Sequence, residues 1–216
     1  MKLINARPSP FGRKVAVALL EKGVPFETMW DEPWGPDTCV GAHNPLAQLP
    51  ILITDEGEEL FESSYILEWI ERRYADPPLL PDDDEGILEA KQYMVVAEGV
   101  LDAWISASME LRRNPPSEAW MVRQRHKVAA GTKWLAARIG DREFAVRGTL
   151  SQADIAIVAN LALLSFAYGR GGRVEEEHWR DRLPTLARYV DRLDSRPSFQ
   201  ATRPQMMGSG MTDALR

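Results

Sequence analysis

A hydroxyl at a strand-to-helix junction is the first candidate for chemistry in this sequence. Ser9 lies in Arg7-Pro8-Ser9-Pro10-Phe11-Gly12-Arg13-Lys14-Val15, after a strand-like run from Lys2 to Ala6 and at the opening of an amphipathic helix. The first turn of a helix carries backbone N–H groups without intrahelical partners. The helix dipole adds partial positive charge there, so an anion beside Ser9 is favoured. Pro10 suits the first helical position, which has no use for its missing N–H, and Val15, Leu19 and Leu20 continue as a buried stripe at helical spacing. Taken alone, the segment fits either an ordinary N-cap or a donor to a bound anion.

Two further segments extend the pattern. In Asn44-Pro45-Leu46-Ala47-Gln48-Leu49-Pro50, the last proline opens a strand and cannot donate to a ladder. A cis bond there would turn the Leu49 backbone outward, leaving its N–H and C=O to pair with an extended ligand. In Phe61-Glu62-Ser63-Ser64 an acid and a hydroxyl stand at a helix start. Ser63 with its N–H suits a carboxylate and Glu62 suits an ammonium group; a plain helix cap is the other reading. A ligand with an amino-acid head, a peptide-like middle and a reactive group near Ser9 satisfies all three segments.

Composition narrows the class. The 216 residues, 44% hydrophobic and 27% charged, are those of an ordinary globular protein with room for two small domains. A net charge of -6 argues against a general phosphate-backbone binder, and Arg123-Gln124-Arg125-His126-Lys127 reads as a solvated helix face. The single cysteine, Cys39, excludes an internal disulfide and suits a reducing compartment. His43, His126 and His178 lack zinc-ligand spacing, so no metal is expected. The longest apolar stretch, Ile155 to Tyr168, is shorter than the roughly 20 residues of a membrane span and reads as a buried helix. No secretory segment is visible, and a cytoplasmic location without membrane association is expected.

The elements that must position these residues follow from pattern. The first third reads strand, helix, strand (Pro25 to Trp30), loop (Glu32 to Asn44), hairpin (Pro50 to Ile53 and Glu59 to Phe61 around Asp55-Glu56-Gly57) and helix (Ser63 to Tyr74). Three prolines and the acidic run Asp82-Asp83-Asp84 mark an exposed linker leading into a helix start. Beyond it, residues 86–112, 117–139, 151–168 and 184–195 read as helices, with no strand. Ser151-Gln152-Ala153-Asp154 has the form of a capping box, which explains Asp154 without chemistry. The fold class is therefore α/β plus all-α.

With these motifs in order, the chain resembles the cytosolic glutathione transferases over nearly its whole length. The resemblance rests on Ser9-Pro10-Phe11 with Arg13-Lys14-Val15, Asn44-Pro45-Leu46 through Leu49-Pro50, Phe61-Glu62-Ser63, and Gly148 with Ser151, Ala153 and Asp154. It implies a thioredoxin-like N-terminal domain (1–76), a linker (77–85) and a helical C-terminal domain (86–216). It also implies glutathione as co-substrate, a cis proline at Pro50, a homodimer, and conjugation in the service of detoxification. Carried over, Glu62 and Ser63 would hold the γ-glutamyl end and the backbone of Leu49, ahead of Pro50, the cysteinyl unit. Gln48 would reach the glycyl carboxylate, and Ser9 would face the thiol. A serine cannot form the mixed disulfide that a cysteine would, which favours addition or substitution by bound glutathione. Trp104, Ser108, Met109, Arg112 and Tyr168 are candidates for the electrophile pocket, and Glu98 and Asp102 for reaching the partner subunit's glutathione or its interface. Alternatives are a binding protein that keeps the fold without useful catalysis, or a glutathione-dependent peroxidase or isomerase. Arg7 departs from the pattern: it is an exposed strand-end charge, a source of positive field at the thiol, or a partner for a substrate carboxylate.

Overall fold

Leu3 and Ile4 are fully buried because their strand, β1 (Lys2–Asn5), is an inner strand of a small sheet. In the computed structural model, which describes residues 1–172, 174–175 and 177–207, this sheet has the order β2-β1-β3-β4. β2 (Glu27–Trp30) lies parallel to β1, with Leu3 opposite Thr28, so the chain crosses over through α1 (Pro10–Glu21). β3 (Ile51–Ile53) and β4 (Glu59–Phe61) add antiparallel strands on the other side, with Leu3 opposite Leu52 and Leu52 opposite Leu60. Gly57, at φ 84°, supplies the left-handed residue that the β3–β4 turn needs. α3 (Ser63–Arg73) follows β4 and contacts α1.

The region read as a loop, Glu32 to Asn44, contains a short helix, α2 (Val40–His43). Its cause is Val40, which is fully buried in a cluster with Ile4 and Ile51, an anchor that local composition does not reveal. Behind α3 the chain is fixed by Lys22, whose buried ammonium donates to the carbonyls of Tyr74 (2.6 Å) and Pro77 (2.8 Å) and pairs with Glu71 at 2.9 Å.

The described residues divide into two compact units, one of residues 1–79 with 197–207 and the other within residues 80–196. The expected helical domain, 86–216, and this division differ at the C-terminal side. α9 (Pro197–Ala201) belongs to the first unit, where Arg13 donates to the Phe199 carbonyl at 3.0 Å and to the Thr202 hydroxyl at 3.4 Å. The first unit is the thioredoxin-like α/β body and the second is all-helical.

The helical unit comprises α4 (Asp84–Glu110), α5 (Glu118–Ile139), α6 (Gln152–Tyr168), α7 (Trp179–Arg182) and α8 (Pro184–Asp194). The short α7 was not expected from sequence. Of the acidic run, Asp83 is the N-cap of α4: it accepts from the Gly86 N–H (2.8 Å) and pairs with Arg147 (2.8 Å), which together hold its carboxyl down at about 2. α6 is apolar on nearly all sides and packs against α4 and α8. The capping box at its start is present in both legs. The buried Asp154 carboxylate accepts from the N–H and hydroxyl of Ser151 (2.8 and 2.7 Å), the Ala145 N–H (2.8 Å) and the Tyr189 hydroxyl. Burial nonetheless pushes its pKa above the ordinary value.

Replacing Asp154 by alanine strands several buried donors at once. The expected loss in unfolding free energy exceeds about 3 kcal/mol, given roughly 1–3 kcal/mol for each buried group left unsatisfied. Urea unfolding checks this; a loss within 1 kcal/mol, about that of an exposed cap, would contradict the role.

Candidate functional site

Ser9 is placed by a turn and a close approach. Its N–H donates to the Ala6 carbonyl (2.9 Å), making Arg7 and Pro8 the middle of the turn between β1 and α1. A Cβ on Gly12 would stand 1.8 Å from Asn5 Oδ1, so a larger residue there would displace the Asn5 side chain that fills the space between α1 and the end of β1. Asn5 is itself held by the Ala6 N–H, which donates to its Oδ1 at 2.8 Å. Ser9 is the N-cap of α1, and its Oγ accepts from the Gly12 N–H at 3.3 Å. That bond uses a lone pair and leaves the hydroxyl proton to be donated.

The second segment is organised by Asn44, which is 2% exposed. Its side chain accepts from the Leu46 N–H (2.9 Å) and donates to the Gln48 carbonyl (2.8 Å), which fixes the exposed stretch from Pro45 to Gln48. The Leu49–Pro50 bond is cis. The Leu49 side chain packs on the Ile4, Val40 and Ile51 cluster. Neither its N–H nor its C=O has a hydrogen-bond partner among the described residues.

Glu62 takes φ 73°, ψ 119°, a strained backbone for a residue with a side chain. Such strain costs of order 1–3 kcal/mol and collects at binding sites. Its carboxylate accepts from the N–H groups of Ser64 and Tyr65, both at 3.0 Å, so Glu62 is the N-cap of α3. Capping and ligand binding are compatible here, because Oε2, which takes the Tyr65 N–H, has a second lone pair to offer. The Ser63 hydroxyl donates to Glu62 at 3.4 Å, and the Ser63 N–H has no partner among the described residues. The glycine-like conformation of Glu62 had no sequence signal.

Cys39 lies outside this constellation. Its N–H and thiol both donate to Asp31 Oδ2 (2.9 and 3.1 Å), while the Thr38 hydroxyl donates to Oδ1 at 2.7 Å. The bond to Asp31, then burial, raises the thiol pKa. For Asp31 the largest influence, burial, acts upward, but the bonds from Thr38 and Cys39 outweigh it and the carboxyl lies below its ordinary range.

In the helical unit, Trp104 is buried in α4, and Ser108 one turn on donates to its carbonyl at 3.0 Å. Met109 and Arg112 are exposed at the end of α4, and Tyr168 closes α6 with its ring stacked on His178 at 4.3 Å. A groove of about 710 Å³ between α4 and α5 is lined by Val100, Asp102, Ala103, Trp120, Gln124 and Lys127, among others, and by none of those five residues. Among the described residues no group of three His, Cys, Asp or Glu side chains can hold a metal ion, and no helix is long and apolar enough to cross a membrane.

Comparison with known proteins decides the family. Residues 8–73 match the glutathione S-transferase N-terminal domain and residues 102–192 the C-terminal domain. The uncharacterized GST-like protein YibF of Escherichia coli is 34% identical over 94% of this chain and 98% of its own. The chain belongs to the glutathione transferase family. A glutathione S-transferase of Methylobacterium radiotolerans, solved with glutathione sulfonate, shares the fold at a TM-score of 0.89 and 42% identity over 96% of both chains. One from Methylobacillus flagellatus, with glutathione bound, has a TM-score of 0.87 at 31% identity, over 94% of this chain and 99% of its own. Within this transferase fold, the Arg7 and Arg13 contacts to residues 199–205 were not legible from sequence, because the partners lie nearly 200 positions apart.

The masking of the sole cysteine is directly testable. Alkylation of Cys39 by iodoacetamide near pH 8 should be slower than for a free thiol of pKa about 8.5. It should accelerate about threefold or more in Asp31→Asn, because lowering the thiol pKa raises the thiolate fraction at that pH. Equal rates in both proteins would show that Asp31 does not control the thiol.

Proposed function

We propose that this protein binds glutathione and transfers its sulfur to a small electrophile, as a cytoplasmic homodimer. The observation that carries the reading is the Ser9 hydroxyl, which accepts from Gly12 and keeps its proton for an anion at the N-terminus of α1. The unpaired Leu49 backbone before Pro50 suits the cysteinyl unit. Glu62 and Ser63, at the strained start of α3, suit the γ-glutamyl ammonium and carboxylate, and Gln48 suits the glycyl end. Structural relatives that hold glutathione or its sulfonate support this assignment. Trp104, Ser108, Met109, Arg112 and Tyr168 are assigned to the electrophile.

The chemistry follows from the thiol. A thiol of pKa about 8.5 is only slightly ionised near pH 7, and lowering it by ~2 units takes about 2.7 kcal/mol. A hydrogen bond to a charged group supplies roughly 1.5–3 kcal/mol. The helix N-terminus adds roughly 0.3–2 kcal/mol. Together they suffice. The thiolate then attacks the electrophilic carbon, forming a carbon–sulfur bond while the leaving group departs with its electron pair or, in an addition, the carbon acceptor takes up a proton.

The homodimer is supported by two apolar side chains of α4, Leu88 and Val95, which stand two turns apart and are each about two-thirds exposed. Covering them with a second copy removes them from water. Sedimentation at micromolar concentration should show twice the monomer mass; a monomer alone would overturn the assembly.

Isothermal titration with glutathione should show saturable binding below millimolar ligand, and no heat of binding at that concentration would sink the reading. Ser9→Ala should cost at most about 1 kcal/mol of stability as a cap. It should raise the pKa of the bound thiol, read from thiolate absorbance, by about one unit or more. Superimposable titrations would leave the helix terminus as the activating group. Glutathione binding without turnover on a broad electrophile panel would instead favour a binding protein.

A further inference from the structure

Arg7 is the residue that the glutathione site does not use. It is exposed, in the turn that ends at Ser9, so its backbone lies within about 7 Å of the hydroxyl-bearing residue. Two neutral groups hold its side chain. The guanidinium carbon sits 4.9 Å from the centroid of the Trp30 ring, and Nη1 donates to Gln205 Oε1 at 2.7 Å. The Arg7 carbonyl in turn accepts from the Gln205 N–H at 3.3 Å, so the same residue fixes both ends of Arg7.

Among the described residues no acid pairs with this charge. Arg72, Arg147, Arg180 and Arg182 each pair with a carboxylate, whereas Arg7 has none within ion-pair distance among the described residues. Arg170 and Arg192 are also held by neutral groups, but only Arg7 of the three stands beside Ser9. One N–H bond to Gln205 leaves the rest of the guanidinium fork without a hydrogen-bond partner among the described residues. That fork matches a carboxylate in two parallel hydrogen bonds, and holding it in place beforehand reduces the entropy lost on binding. Trp30, half exposed, offers an apolar ring beside it.

We propose that Arg7, seated on Trp30 and fixed by Gln205, binds a carboxylate of the second substrate, so that the preferred electrophiles are organic anions. The proposal rests on the transferase reading for its word "electrophile", but its test does not. The probes are 3,5-dinitrobenzoate and its neutral analogue 3,5-dinitrobenzamide, which carry no leaving group at the attacked position. Their affinities are measured by titration against glutathione-saturated protein and against protein alone. Affinity for the benzoate is expected to exceed that for the benzamide by about tenfold or more. Arg7→Gln is expected to bring the ratio close to one, and Arg7→Lys to keep part of the preference because the charge remains without the planar fork.

A ratio near one in the parent protein overturns the proposal, as does a preference that survives Arg7→Gln. So does benzoate binding weaker than about 10 mM, where recognition has no useful specificity. An equal change for both probes on substitution also overturns it, since that assigns Arg7 to the general shape of the site. Failure of glutathione to bind is read in the separate glutathione titration, so loss of the transferase reading and loss of the Arg7 assignment are told apart.

Discussion

The close approach of Gly12 to Asn5 governs the geometry of everything near Ser9. With no side chain at position 12, the first turn of α1 lies against the end of β1, and Asn5 fills the space while holding the Ala6 N–H. The hydroxyl of Ser9 is then presented where the helix has unsatisfied N–H groups, rather than turned toward solvent at the end of a longer connection. The same turn carries Arg7 to its place beside Trp30 and Gln205. One glycine therefore positions both the group suited to a thiolate and the group suited to a second anion.

Local chemistry made much of this readable beforehand. Pro10 at a helix start, Pro50 opening a strand, Gly57 in a hairpin and Ser151 with Asp154 are features whose cause lies within a few residues, and each recurs in the structure as an element boundary or cap. The features that stayed hidden have distant causes. α2 exists because Val40 is buried against Ile4 and Ile51. The grouping of α9 with the first unit depends on Arg13 reaching Phe199 and Thr202. Glu62 adopts a conformation usually left to glycine, which its side-chain type gave no reason to expect.

The candidate site also shows how caps and ligand groups overlap. Ser9 and Glu62 each satisfy helix N–H groups through side-chain oxygens, and each keeps capacity in reserve, a proton in one case and a lone pair on Oε2 in the other. A residue type that ends a helix well is thus also one that meets a ligand well, because both tasks need a polar atom at the same electropositive end. The surrounding backbone, rather than the residue's identity, separates the two roles: the Leu49 backbone and the Ser63 N–H, unpaired among the described residues, mark this end as unfinished.

Asp31 has a consequence for how the protein meets oxidants. By accepting both the thiol and the backbone N–H of Cys39, it keeps the proton on sulfur and ties that sulfur to the framework of the α2 segment. A protonated thiol is a poor nucleophile toward disulfides and peroxides, so Cys39 responds more slowly than a free thiol to shifts in the surrounding thiol–disulfide balance. Under the proposed function, sulfur reactivity then falls to a diffusible thiol that can be exchanged after each alkylation, and the polypeptide's own sulfur is spared.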